Sequence, residues 1–221
     1  MKINDVLGYI ISIISPAECD SCGKFQAIYP FPICGNCIFE MFSSEAPGEI
    51  ISPLVKKIYS CLGYTPAVRC CVKSFKFHGN LKLKSFFKKI IGSHILSLGL
   101  RNEKYDMITP VPLHRSRKRK RGYNQSEILS GIASSFLGIP VHSEILIKTR
   151  NTPPQSGLKK KERQKNLKGS FAVKNKSLIR GKSFLLVDDV MTTGATIEEC
   201  ANTLIKAGAS SVSALTLSRV I

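Results

Sequence analysis

Residues 184–187 read Phe-Leu-Leu-Val, an apolar run with no polar break, and they lead directly into two adjacent acids, Asp188 and Asp189. A strand that is apolar on both sides has to be covered on both faces, which is the usual situation in a parallel sheet. After a loop over Met191 to Ala195, Ile197, Cys200, Ala201 and Leu204 recur at helical spacing up to about Lys206. Thr196 and Glu199 form an S/T-x-x-E box at the start of this helix, and Gly208 sits where a helix end favours a left-handed residue. The segment Val212 to Val220 (VSALTLSRV) then returns as a strand. Strand, helix and strand in succession predict an α/β fold: a mainly parallel sheet flanked by helices.

The preceding residues extend this pattern. Tyr105 to Leu113 (YDMITPVPL) reads as strand and loop. A helix is expected over Gln125–Leu137, with Asn124 to Glu127 (NQSE) as its capping box and Gly138 as its stop; Glu144 to Arg150 then closes a βαβ unit. Leu83, Phe86, Phe87, Ile90, Ile91, Ile95 and Leu98 mark an amphipathic helix, with His94 packed on the same face. Tyr64 to Phe77 reads as extended segments, with Cys70 and Cys71 in a strand. Ser43 to Pro53 has linker composition, which divides the chain into residues 1–55 and 56–221.

Four of the eight cysteines form CDSC at Cys19 to Cys22 and CGNC at Cys34 to Cys37. Two such turns can set four thiolates tetrahedrally around one Zn²⁺, and with every ligand supplied by the protein the site is structural, a small N-terminal zinc ribbon. The alternative is a pair of disulfides, which requires an oxidising compartment. The N-terminus argues against export. It has one Lys, an acid at Asp5 and no small-residue cleavage site, and Ile3, Val6, Leu7, Ile10, Ile11 and Ile14 follow helical spacing instead. No apolar run reaches the roughly 18 residues of a membrane span, so the expected location is cytoplasmic.

With 33 Lys+Arg against 15 Asp+Glu, a net charge of +18, the chain attracts polyanions. Two acids side by side after an apolar strand are therefore conspicuous. In parallel sheets ligands bind at the carboxyl ends of the strands. A tight Thr/Gly loop ahead of a helix presents backbone N–H groups to a phosphate, and an ionised carboxylate accepts hydrogen bonds from both hydroxyls of a ribose. Asp188 and Asp189 with Thr192, Thr193, Gly194, Ala195 and Thr196 therefore describe a cradle for a ribose 5-phosphate. Neither a Walker loop nor a GxGxxG fingerprint is present. Arg115, Arg117, Lys118, Arg119, Lys120 and Arg121 follow the 105–113 segment and suit either a diphosphate or a nucleic-acid backbone. Single-strand grooves usually pair charge with stacking rings, and Tyr123 is the only aromatic near this run.

The stretch Leu185 to Thr196 (LLVDDVMTTGAT) resembles the phosphoribosyl diphosphate (PRPP) signature of type I phosphoribosyltransferases. Taken with the two CxxC turns, VPLHRSRKRKRGYNQSE and TPPQSGLKKKERQKNLKGSFAV, the whole chain resembles the competence protein ComF family, which joins a zinc ribbon to a phosphoribosyltransferase-like domain. The resemblance implies that Asp188 and Asp189 hold the ribose hydroxyls and Thr192 to Thr196 the 5′-phosphate. Thr109 to Leu113, including Pro110, Val111, Pro112 and Leu113, would meet the diphosphate with Mg²⁺, and Thr149 to Gly169 would be a mobile flap. It also implies a role in natural competence on incoming single-stranded DNA, with a helicase or another DNA-uptake protein as a possible partner. Three readings follow: a Mg²⁺-dependent phosphoribosyltransferase; a non-catalytic nucleotide- or DNA-binding module; and a scaffold whose acids only cap a helix.

Overall fold

The computed structural model describes residues 17–24, 27, 30–43, 52–152 and 165–220. The N-terminal helical pattern, most of the Ser43 to Pro53 linker, and residues 153–164 of the flap lie outside the described residues.

Four parallel strands form the main sheet: β1 (Ile58–Gly63), β2 (Met107–Pro110), β5 (Ser183–Met191) and β6 (Ser211–Arg219), in the spatial order β1-β6-β5-β2. β5 pairs with β6 from Ser183↔Ser211 to Met191↔Arg219, and with β2 from Met107↔Phe184 to Pro110↔Val187. Side chains alternate across the sheet. Leu185 and Val187 enter a core shared with α2 (Pro66–Phe77), α3 (Leu83–Ser97) and α5 (Gln125–Leu137), whereas Phe184 and Leu186 enter one shared with α6 (Ala195–Lys206). The Phe-Leu-Leu-Val run is thus apolar because both faces of its strand are covered.

The extended reading of Tyr64 to Phe77 is corrected, because these residues form helix α2. Thr65 is its N-cap, its hydroxyl accepting from Val68 N at 3.3 Å, and Pro66 occupies the first turn, where no N–H is needed. Val68, Cys71, Val72 and Phe75 are buried at i, i+3, i+4, i+7 spacing. Two residues of the N-terminal unit brace this start: Glu40 Oε1 accepts from Ala67 N at 3.0 Å and Ser21 Oγ donates to Ala67 O at 3.2 Å. Glu40 belongs to α1 (Gly35–Ser43), whose Met41 shares the α2/α3 core with Ile33, Cys19, Cys34 and Cys37.

The βαβ reading of residues 105–150 needs a second correction. β3 (Leu146–Lys148) leaves the parallel sheet and pairs antiparallel with β4 (Phe171–Val173). The parallel position beside β2 goes instead to a single bridge, Ile108↔Val141. Helix α5 has the expected bounds, but its cap is only half a box. Asn124 Oδ1 accepts from Ser126 N at 3.1 Å, whereas Glu127 turns to Lys118 at 2.7 Å, a stronger partner than a backbone N–H. At α6 the cap is Gly194, at φ 78°, not Thr196, and Glu199 accepts from Gly169 N at 2.7 Å. Gly208 takes the expected left-handed turn, φ 101°. Among the described residues, no helix is long and apolar enough to cross a membrane.

Candidate functional site

β5 runs on through both acids to Met191, so the loop to α6 is only Thr192, Thr193 and Gly194. A cavity of about 320 Å³ opens at the carboxyl ends of β1, β2 and β5. Its wall includes Asp188, Asp189, Thr192, Gly194, Ala195 and Thr196 on one side and Val111, Pro112, Leu113 and Arg117 on another. The first N–H groups of α6 have no acceptor within the helix and lie at this wall. A non-glycine residue would be strained at the φ of Gly194, which makes the turn from β5 into α6. Thr193 does not line this cavity, and among the described residues its buried Oγ1 has no hydrogen-bond partner. Pro110 lies outside the wall, buried as the last residue of β2 opposite Val187.

The strand's alternation puts the two acids in different surroundings. Asp189, in step with Leu185 and Val187, is buried and faces α2, where Lys76 Nζ lies 2.8 Å from its Oδ2; its Oδ1 accepts from Val190 N at 2.7 Å. Asp188, in step with Leu186, accepts from Ser126 Oγ and from Asp189 N, each at 2.9 Å, through Oδ1. Burial, and then the charge of Asp189, push the Asp188 carboxyl up to about 7 even though Lys76 pulls the other way. Burial disfavours the Lys76 ammonium, but Asp189 more than offsets this and its pKa is raised. The two carboxylates are therefore not equivalent: one is neutralised by an ammonium and the other shares its negative charge with a hydroxyl.

Around them the loop over residues 111–113 is pinned at its first residue. Val111 N donates to Val187 O at 2.9 Å, and Asn124 Nδ2 donates to Val111 O at 3.1 Å. Of the basic run, helix α4 (Arg115–Arg121), Arg117 reaches the cavity and bonds the Thr152 carbonyl. Arg115 and Lys118 line a neighbouring cavity of about 530 Å³ that shares Pro112, Leu113 and Lys148 with the first. Arg119 and Lys120 are exposed, and Arg121 bonds the Gln125 side chain. The two ends of the 149–169 segment meet, with Arg150 Nη2 donating to Asn166 O, Lys168 O and Ser170 Oγ.

Sequence reasoning missed Tyr64, Lys76, Gln125, Ser126 and Lys148, all of which line the cavity. The helix that carries Lys76 was legible, though not its place at the site: Thr65-Pro66 signals a helix start, and the spacing from Val68 to Phe75 is helical. Ser126 carried no signal beyond its place in a cap.

Far from this cavity, the sulfurs of Cys19, Cys22, Cys34 and Cys37 all lie within 4.8 Å of one another. Tetrahedral Zn–S bonds of about 2.3 Å put sulfurs roughly 3.8 Å apart, so the donor set fits Zn²⁺. Burial pushes the Cys19 thiol up, but the backbone N–H groups of Cys22, Cys34 and Ser21 outweigh it and hold it down at about 7. Cys34 N donates to Cys19 Sγ at 3.2 Å. The remaining buried thiols, Cys61, Cys71 and Cys200, are pushed up by burial and behave as core.

Comparison with known proteins places this architecture. Residues 124–220 match the phosphoribosyl transferase domain family. Competence protein F of Haemophilus influenzae is 31% identical over 212 residues, covering 91% of this chain and 90% of that protein. The chain belongs to the competence protein ComF family. Another ComF relative, competence protein ComFC of Bacillus subtilis, is 28% identical over 219 residues, spanning 99% of this chain and 81% of that one. Among solved structures, purine phosphoribosyltransferase from Pyrococcus horikoshii aligns with 61% of this chain and 74% of its own, at 19% identity and a TM-score of 0.40. The type I phosphoribosyltransferase fold and the Cys₄ cluster of this ComF protein agree with what its sequence resembled.

Proposed function

We propose that this ComF-family protein binds phosphoribosyl diphosphate, or a related phosphoribosyl ligand, and acts on single-stranded DNA during uptake. One observation carries the first part: a single cavity at the strand ends joins a carboxylate to a Thr-Gly loop at a helix N-terminus. Asp188 accepts from the ribose hydroxyls, and Thr192, Thr193, Gly194, Ala195 and Thr196 take the 5′-phosphate. Val111, Pro112, Leu113 and Arg117 face the diphosphate. Mg²⁺, bound with the ligand, would neutralise the diphosphate charge. Asp189 serves at one remove, fixing Lys76 at the wall where its ammonium offsets the ligand's anionic groups.

The test is calorimetric titration of phosphoribosyl diphosphate with Mg²⁺ into wild type and Asp188→Asn. Wild type should bind, and the variant should lose at least tenfold in affinity while keeping its melting temperature. Equal affinity would remove Asp188 from the sugar site. Diphosphate release with candidate nucleobases separates a transferase from a binding module.

The second part rests on α4, where six of the seven residues are cationic and none is buried. Such a surface binds nucleic acid with an affinity that falls steeply with salt. The names of the relatives, competence protein F and competence protein ComFC, agree with this reading. A helicase or another uptake protein is a further candidate partner, testable by co-purification.

A further inference from the structure

The basic helix α4 has no aromatic side chain of its own, and the nearest Phe or Tyr in sequence is occupied elsewhere. Tyr123 packs its ring 5.8 Å from that of Phe75 and donates its hydroxyl to the Phe75 carbonyl. The fold brings up a different ring, 44 residues before Arg121 in sequence. Phe77, the last residue of α2, is 68% exposed, and the Arg121 guanidinium carbon lies 5.2 Å from its ring centroid. Arg121 also bonds the side chain of Gln125, which lines the cavity, and Lys76, beside Phe77 in the chain, lines it too. An accessible aromatic ring therefore lies against the cationic helix, next in the chain to a residue of the cavity wall, with a guanidinium already held against it.

We propose that Phe77 is a base-stacking platform for single-stranded nucleic acid, with Arg121 and the exposed Arg119 and Lys120 of α4 taking the adjoining phosphates. This rests on the reading of α4 as a nucleic-acid surface, and it adds to that reading a specific contact to a base. Charge complementarity favours a polyanion, and a bare ring favours a strand whose bases are unpaired, because a duplex keeps its π-faces stacked internally. The guanidinium on the ring can continue such a stack, since Arg planes stack on bases as well as on aromatic side chains.

The chain contains no Trp, so Phe77→Trp introduces a single tryptophan, excitable apart from the tyrosines, at the proposed contact. Labelled oligo(dT) is titrated in anisotropy assays at several salt concentrations against wild type, Phe77→Ala, Phe77→Trp and Arg119→Ala/Lys120→Ala; unlabelled oligo(dT), duplex and a nucleoside monophosphate serve as competitors. Phe77→Ala should weaken oligo(dT) binding by about fivefold to a hundredfold with the salt slope unchanged. Phe77→Trp should retain affinity, and its emission should be quenched on binding. Arg119→Ala/Lys120→Ala should lower the salt slope by about 0.7 per lost phosphate contact. If Phe77→Ala binds as wild type does while the charge variant weakens, α4 remains a nucleic-acid surface and the stacking contact is overturned. If wild type binds no oligo(dT) even at low salt, the underlying reading fails and the contact falls with it. Stronger competition from duplex than from single strand, or from the mononucleotide at equal phosphate, also overturns the assignment to a single strand.

Discussion

Lys76 Nζ lies 2.8 Å from Asp189 Oδ2, joining the end of α2 to the strand that carries the acid pair. Asp189 is buried and the Lys76 side chain retains some solvent access, so removing the ammonium alone strands a charge in the interior. Loss of one partner of a buried pair costs about 3–5 kcal/mol, and the solvent access of Lys76 places this pair toward the lower end. Lys76→Met should therefore lose about 3 kcal/mol in urea unfolding, and Lys76→Met/Asp189→Asn should recover most of it. A double variant as unstable as the single one would show that packing of the lysine stem, not charge, sets the cost.

Asp188 gives the site a pH dependence whose direction is fixed by its surroundings. Asp189, Lys76 and Ser126, together with Lys148 and Cys200 from the opposite layer, all face it, and the net result raises its carboxyl to about 7. Below that value the group is protonated and ceases to be purely an acceptor. Phosphoribosyl ligand affinity should be flat above about pH 7 and fall toward tenfold per pH unit below it, and Asp188→Asn should abolish this dependence. Stability moves the opposite way. The folded state keeps this proton between about pH 4 and 7 whereas the unfolded chain releases it, so the Asp188 contribution is full at low pH and lost as pH rises through 7. Calorimetry and urea titrations across pH 5–8.5 check both signs.

Gly92 marks the crossing of α3 and α5. A Cβ there would run into the ring of Phe136, well inside van der Waals contact. Gly92→Ala should destabilise by about 1–3 kcal/mol through overpacking, despite the better helix propensity of Ala. Adding Phe136→Leu should restore part of the loss, and an unchanged unfolding midpoint for Gly92→Ala alone would show that the ring moves aside freely.

Purified protein should contain about one Zn²⁺ per chain, released by chelators faster as pH falls because protons compete for the thiolates. Cys34→Ser/Cys37→Ser should abolish retention and lower the thermal midpoint, since the same cysteines pack with Ile33 and Met41 into the α2/α3 core. Metal analysis with a thermal scan reads both, and a metal-free wild type of unchanged midpoint would dismiss the site.

The sequence was informative where one physical pattern dominates a segment. The apolar run before Asp188, the Gln125–Leu137 helix and the paired CxxC turns were all readable because burial, periodicity or ligand spacing admits a single solution. Tyr64 to Phe77 was misread because its β-branched and aromatic residues have strand propensity, which the Thr65-Pro66 start and tertiary packing overrode. Leu146–Lys148 was correctly an extended segment but in the wrong sheet, since local pattern does not encode which edge a short strand will meet. Half of the site was invisible for the same reason. Lys76 and Asp189 are 113 residues apart, and nothing local to either announces the other.

The bonds of Glu40 and Ser21 to Ala67 have a mechanical consequence. Helix α2 is a lever of about 18 Å, at 1.5 Å per residue, anchored near its base by the cysteine unit and bearing Lys76 and Phe77 at its tip. Loosening of the anchor, whether by chelation or by thiol oxidation, should free the base of this rod, and the positions of Lys76 and Phe77 depend on it.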